Sequence, residues 1–310
     1  MRLPKWSEPF AAGLGEALVD IPYDIISVNF LHWTWHDTDP NIYDRHYWVP
    51  WNSYYFHSAF GASFTFWFHF TREKICNSEG KWIADKSIAK ELLCSVLAGI
   101  LGTPGGIAMF IPIYHPLHDI YKLHSEITYF ILLTVFLLLI WSGDRKPKND
   151  EFSKTVPHKT HWTTWILIAH LVLHYSSFLI MPIFFNPEDE ISTGLKEPIG
   201  PCNEYVGIQT AFGMTLPKRK YLCPTDYDEQ YYDWSCIPEG KLPSNGSIWY
   251  TTCGVPFPNR AEYITIIALI CLIAAVVFGN LHFRSSGDAV FTYKHKNINV
   301  SDRSKKKKLK

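Results

Sequence analysis

EYITIIALICLIAAVVFGNL, residues 262–281, decides the fold class, because it runs for twenty residues with a single charge, at Glu262. A helix rises about 1.5 Å per residue and a bilayer core is about 30 Å thick, so this stretch is long enough to cross one. Working outward, apolar blocks recur near residues 9–31, 51–70, 88–114, 121–141 and 161–185, with the charges held between them. The mean hydropathy of the chain is close to neutral, but the average conceals that segregation. The pattern predicts an all-α integral membrane bundle of about six transmembrane helices over residues 1–282, followed by a basic tail at 283–310. Acids inside the first block, with no small-residue cleavage site after it, argue against a cleaved signal peptide. The short lead before that block fits a piece of a longer chain.

Composition narrows the function classes. Lys and Arg together number 29 and so do Asp and Glu, which leaves no net field to attract nucleic acid. Aromatic residues make up 16% of the chain, with Trp and Tyr often at block edges, as suits the headgroup region. Basic residues concentrate in 1–5, 72–86, 143–159 and the tail after His282, so the positive-inside bias predicts cytoplasmic termini. That topology puts 186–260 in an oxidising lumen. The segment holds Cys202, Cys223, Cys236 and Cys253, read as two disulfides with three pairings open, or as free thiols or a zinc site, and a glycosylation sequon at Asn245. Cys76, Cys94 and Cys271 are expected to stay unpaired, and the sequon at Asn299 to stay unmodified.

Lys307 and Lys308 stand fourth and third from the C-terminus, resembling the dilysine signal read by the retrieval coat, and this predicts an endoplasmic reticulum membrane protein. The same lysines also suit anionic lipid.

Three features carry candidate chemistry. The first is HWTWHDTDPNIYDRHYWVPW, residues 32–51, which crowds His32, His36, His46, Asp37, Asp39, Asp44, Arg45 and four tryptophans between two apolar blocks and reads as the functional centre. The second is Glu16, Asp20 and Asp24, a four-residue step that sets three acids on one helix face. Carboxylates in hydrocarbon are expensive, so this stripe predicts a proton or cation path, or acids protonated within the bundle, or a helix lying partly in the interface; Pro22 could bend it. The third is His170 and His174, an i, i+4 pair able to grip one metal, with His57 at a comparable depth in its own helix.

Two resemblances add to this reading. Ile21 to Ile26 together with WHDTDPNIYDRHYWVPW at 35–51 resembles an uncharacterised family of eukaryotic multi-pass membrane proteins, which implies no particular activity. Ser53-Tyr54-Tyr55-Phe56-His57 with the His170/His174 pair loosely resembles the metal-dependent membrane hydrolases related to alkaline ceramidases and the progestin-receptor family. That likeness implies zinc or iron on His57, His170 and His174, an oxyanion contact from Ser53, an acid from Asp37, Asp39, Asp44 or Asp119, and a lipid substrate. In this chain the His pair lies on the penultimate of six helices rather than the last of seven.

The residues thus lead to a metal-dependent lipid-modifying enzyme, with a proton- or cation-coupled transporter or channel as the alternative and a receptor or assembly factor built on the lumenal loop as a third class. No nucleotide loop, nucleophile elbow or haem signature occurs.

Overall fold

A computed structural model describes residues 3–35, 39–76, 85–144 and 162–284. Among these residues there are six α-helices: α1 (Glu8–Asn29), α2 (Trp51–Ile75), α3 (Ile88–His115), α4 (Ser125–Asp144), α5 (Trp162–Phe184) and α6 (Arg260–Gly279). Four stretches, at 88–120, 125–144, 162–184 and 260–282, are long and apolar enough to cross a membrane. This is the helix content of a multi-pass membrane protein.

The expected six equivalent spans therefore divide into four apolar helices and two polar ones, and packing explains the division. α1 touches α2, α4, α5 and α6, while α2 touches α1, α3 and α4. Helices enclosed by other helices need not be apolar on every side. Pro22 does not end α1, which stays helical to Asn29. α3 likewise stays helical through Gly102, Pro104, Gly105 and Gly106. Its glycines serve contact with α2: a Cβ at Gly106 would enter the Phe60 ring, and one at Gly105 would strike Ser63. A pure all-α reading also fails, because seven short strands are present among the described residues. β1 (Arg45–His46) and β2 (Val49–Pro50) form a small hairpin before α2, and the others lie between α5 and α6.

That inter-helix segment is a cap at one end of the bundle. β3 (Ile191–Leu195), β6 (Tyr232–Asp233) and β7 (Trp249–Gly254) make a sheet in the order β3-β7-β6, and β4 (Tyr205–Gln209) pairs with β5 (Thr215–Arg219). It has no long apolar periodicity from which to build a helix, and two disulfides, Cys202–Cys223 and Cys236–Cys253, close it. Cys76, Cys94 and Cys271 are free. Val28 and Leu31, at the end of α1, pack with Ile199, Leu222, Tyr231 and Trp234 of the cap, so the cap has its own core seated on α1. A second core fills the bundle around Ile25, Tyr54, Tyr55, Tyr114, Leu132 and Ile267.

Candidate functional site

Side chains on α1 and α2 meet in one antiparallel register: each four-residue step up α1 answers a four-residue step down α2. Glu8 Oε1 lies 3.5 Å from His69 Nε2, Asp20 Oδ2 lies 3.1 Å from His57 Nε2, and Ser53 Oγ donates to Asp24 Oδ2 at 2.7 Å. Glu16 fits because its partner position is Gly61, where any Cβ would collide with the carboxylate. His57 Nδ1 is 3.6 Å from Glu16 Oε1, so one imidazole stands between two carboxylates. Of the stripe expected from Glu16, Asp20 and Asp24, the two aspartates thus face protein, as the cost of burying charge requires, while Glu16 stays half-exposed.

This seam is closed at the cap end and open at its middle. Asp24 is buried and the Asp20 side chain is 11% exposed, whereas Glu16 and His57 are 48% and 37% exposed. Glu16 and Asp20 straddle the midpoint of α1, about 12 and 18 Å along an axis of roughly 33 Å by the helical rise. Glu8 and His69 extend the seam towards the far end and escaped the sequence reading. Their signal was the same step of four, since Glu8 is two steps before Glu16 and His69 three steps after His57.

Ligand atoms of Asp20, Asp24 and His57 lie within 4.8 Å of one another, a carboxylate-rich nitrogen and oxygen set of the kind that holds divalent cations. The set implied by the hydrolase likeness, His57 with His170 and His174, does not come together. α5 packs on the other flank of α1, where His174 Nε2 donates to the Val19 carbonyl at 2.8 Å and Tyr175 Oη to that of Leu18 at 2.9 Å. His170 is exposed.

The 32–51 loop joins the cap to the bundle. Arg45 Nη2 donates to the Trp35 carbonyl at 2.6 Å, and both of its terminal nitrogens stand 3.4 Å from Glu229 Oε1 of the cap. Burial pushes the Glu229 carboxyl above its usual range, and Arg45 pulls against that. Trp35 N donates to Tyr231 Oη at 2.6 Å. At the β1–β2 turn Tyr47 and Trp48 both adopt positive φ, 48° and 68°, where Asn and Gly are usual. They form one wall of a cleft of about 290 Å³ beside Glu262 and Tyr263. Tyr47 Oη donates to Glu262 Oε1 at 2.6 Å, and burial together with that bond pushes its phenol up to about 12.

Of the acids expected in this loop, Asp39 accepts from the Asn41 amide in a local turn and Asp44 accepts from Ser125 N and Oγ at 2.7 and 2.8 Å, covering the start of α4. Asp37, Lys307 and Lys308 lie outside the described residues. Asn245 is exposed in a turn of the cap.

The model of a family described as a domain of unknown function, DUF7802, matches residues 1–283. The chain belongs to the DUF7802 family. No curated protein and no solved structure matches it. The DUF7802 match takes in all six helices, the seam and the whole cap.

Proposed function

We propose that this protein carries protons or a small cation through the membrane along the α1–α2 seam. The observation that carries the reading is His57 held between Glu16 and Asp20 at the middle of α1, with Asp24 and Ser53 continuing towards the cap. Ionisable groups at such a depth cost roughly 2.5–3.5 kcal/mol each by insertion scales and mark ion pathways by default. An imidazole between two carboxylates takes a proton at one nitrogen and releases it from the other. In this reading α1 and α2 cross the bilayer with the four apolar helices, giving six spans.

The test is flux into vesicles reconstituted with the purified protein and loaded with a pH-sensitive dye, driven by a potassium diffusion potential. Asp20→Asn and His57→Gln should abolish dye acidification that the wild type supports. Unchanged flux in both variants would sink the reading.

A second reading has its own observation. Asp20, Asp24 and His57 hold their ligand atoms within 4.8 Å, beside the Ser53 hydroxyl, which suits zinc or iron in a lipid-modifying enzyme with a lipid substrate drawn from the bilayer. Elemental analysis of protein purified without chelators tests it, since the metal should be stoichiometric in the wild type and missing from Asp24→Asn.

For placement we propose the endoplasmic reticulum membrane with both termini cytoplasmic, the cap in the lumen, Asn245 glycosylated, and Lys307 and Lys308 bound by the retrieval coat. The paired cap cysteines and the basic residues Arg72 and Lys74 at the far end of α2 support this orientation. Loss of an endoglycosidase-sensitive mass in Asn245→Gln is the expected result.

A further inference from the structure

We propose that His124, Asp44, His118, Asp119 and His115 form a proton relay at the cap end of the bundle that feeds the α1–α2 seam; the inference rests on the seam reading above. Imidazole and carboxylate alternate along it. His124 Nε2 lies 3.4 Å from Asp44 Oδ1, His118 Nε2 lies 3.8 Å from Asp44 Oδ2, His118 Nδ1 lies 2.8 Å from Asp119 Oδ1, and His115 Nδ1 lies 2.6 Å from Asp119 Oδ2. Exposure falls along the row from His124 to Asp119. The His124 side chain is 47% exposed, His118 16%, His115 11% and Asp119 fully buried.

Two pieces of chain meet to make it, the 32–51 loop and the continuous stretch 115–124. Asp44 comes from the 32–51 loop, His115 from the last turn of α3, His118 and Asp119 from a wide π-type turn at Pro116–Ile120, and His124 from the residue before α4. Such turns are rare and gather at functional sites. Tyr114 stacks on His118 at 4.7 Å, Phe212 of the cap stands 6.3 Å from the His115 ring, and Glu126 lies 3.9 Å from His124 Nδ1. Tyr114 and Glu126 are the further titratable groups facing the row from α3 and α4.

The chemistry follows from His118, whose two ring nitrogens each face a carboxylate. A proton arriving from Asp44 binds Nε2, and the proton on Nδ1 passes to Asp119, so the ring ends neutral and one proton has advanced. Rotation of the side chain closes the 3.8 Å gap. The route towards the seam is polar as well. Tyr114, stacked on the His118 ring, donates its hydroxyl to the Asn41 carbonyl at 3.3 Å, and Asn52 Nδ2 donates to the same carbonyl. Asn52 adjoins Ser53, which holds Asp24. Asn52 Oδ1 and Tyr54 Oη are buried without a hydrogen-bond partner among the described residues. Buried polar atoms of this kind are where bridging water binds.

The same dye-loaded vesicles test the relay, with the pH step applied outside. His118→Gln keeps hydrogen-bonding capacity but cannot pass a proton, and it should slow wild-type flux by about tenfold or more. His118→Ala should be equally slow and should regain flux when imidazole is added to the buffer, which a purely structural role would not produce. A slow His118→Ala that imidazole fails to rescue overturns the relay, as does His118→Gln conducting like the wild type; in the latter case seam conduction stands. A wild type that conducts nothing overturns the seam reading and the relay with it.

Discussion

Arg45 and Glu229 meet at 3.4 Å across the junction between the α1–α2 loop and the cap, with 12% and 1% of their side chains exposed. Breaking a buried pair strands the remaining charge, at a cost of about 3–5 kcal/mol. Glu229→Ala should therefore lower the melting temperature of the purified protein clearly. The double replacement Arg45→Met with Glu229→Met should recover most of the loss, because no charge is then stranded. A single variant that melts like the wild type would show that the pair does not hold the cap.

His46 sits against the Tyr47 and Trp51 rings at 4.5 and 4.9 Å, and burial lowers its proton affinity below the ordinary value of 6.5 despite the pull of Glu126 and Glu262. The unfolded chain then binds the proton first, so stability is full above pH 6.5 and falls as the pH drops through that value towards the lowered one. Melting temperatures measured from pH 7.5 to 5.5 should decline, and His46→Phe should remove part of that slope. An unchanged slope would locate the titrating group elsewhere.

The glycines of α1 and α3 make a sharper packing test. A Cβ at Gly13 would strike the Ser58 carbonyl and one at Gly106 the Phe60 ring, while one at Gly99 would meet nothing within 4 Å. Gly13→Ala and Gly106→Ala should each destabilise by roughly 1–3 kcal/mol through overpacking. Gly99→Ala should be neutral or stabilise by up to about 1 kcal/mol through helix propensity. Thermal denaturation in detergent reads all three, and equal effects would refute the close contact.

Each cap disulfide closes a short loop, with separations of 21 and 17 residues, and loops of this size gain about 3 kcal/mol from the link. Cys236→Ser with Cys253→Ser should make the cap far more sensitive to protease while the six helices remain folded, because the two cores share little beyond the end of α1. Limited proteolysis followed by mass analysis separates the regions. A cap that survives reduction intact would assign its stability to the Tyr231–Trp234 core instead.

Much of the architecture was legible because it rests on local signals. Apolar length located α5 and α6 to within a residue or two, and the acid spacing placed Glu16, Asp20 and Asp24 on one face. What could not be read was partnership across the chain. Nothing near His57 distinguishes carboxylates on α1 from histidines on α5 as its neighbours, since either choice depends on which helix packs on which flank. The partners of the loop at 32–51 were hidden for a similar reason. Arg45 is pinned to Glu229 of the cap and Asp44 closes the start of α4, and both partners lie far along the chain. The α3 glycines carry the opposite lesson, because residues that weaken a helix alone are welcome where another helix presses close.

The shared register of α1 and α2 also limits how this protein can vary over evolution. One residue inserted between Asp20 and Asp24 would swing everything beyond it by about 100° and withdraw Asp24 from Ser53. The cap hairpin β4–β5, with an exposed turn around Gly213, could absorb the same insertion at the surface. Lineages are thus free to lengthen the cap, but along the seam they can only exchange one side chain for another, so variation there should be written in substitutions and never in length.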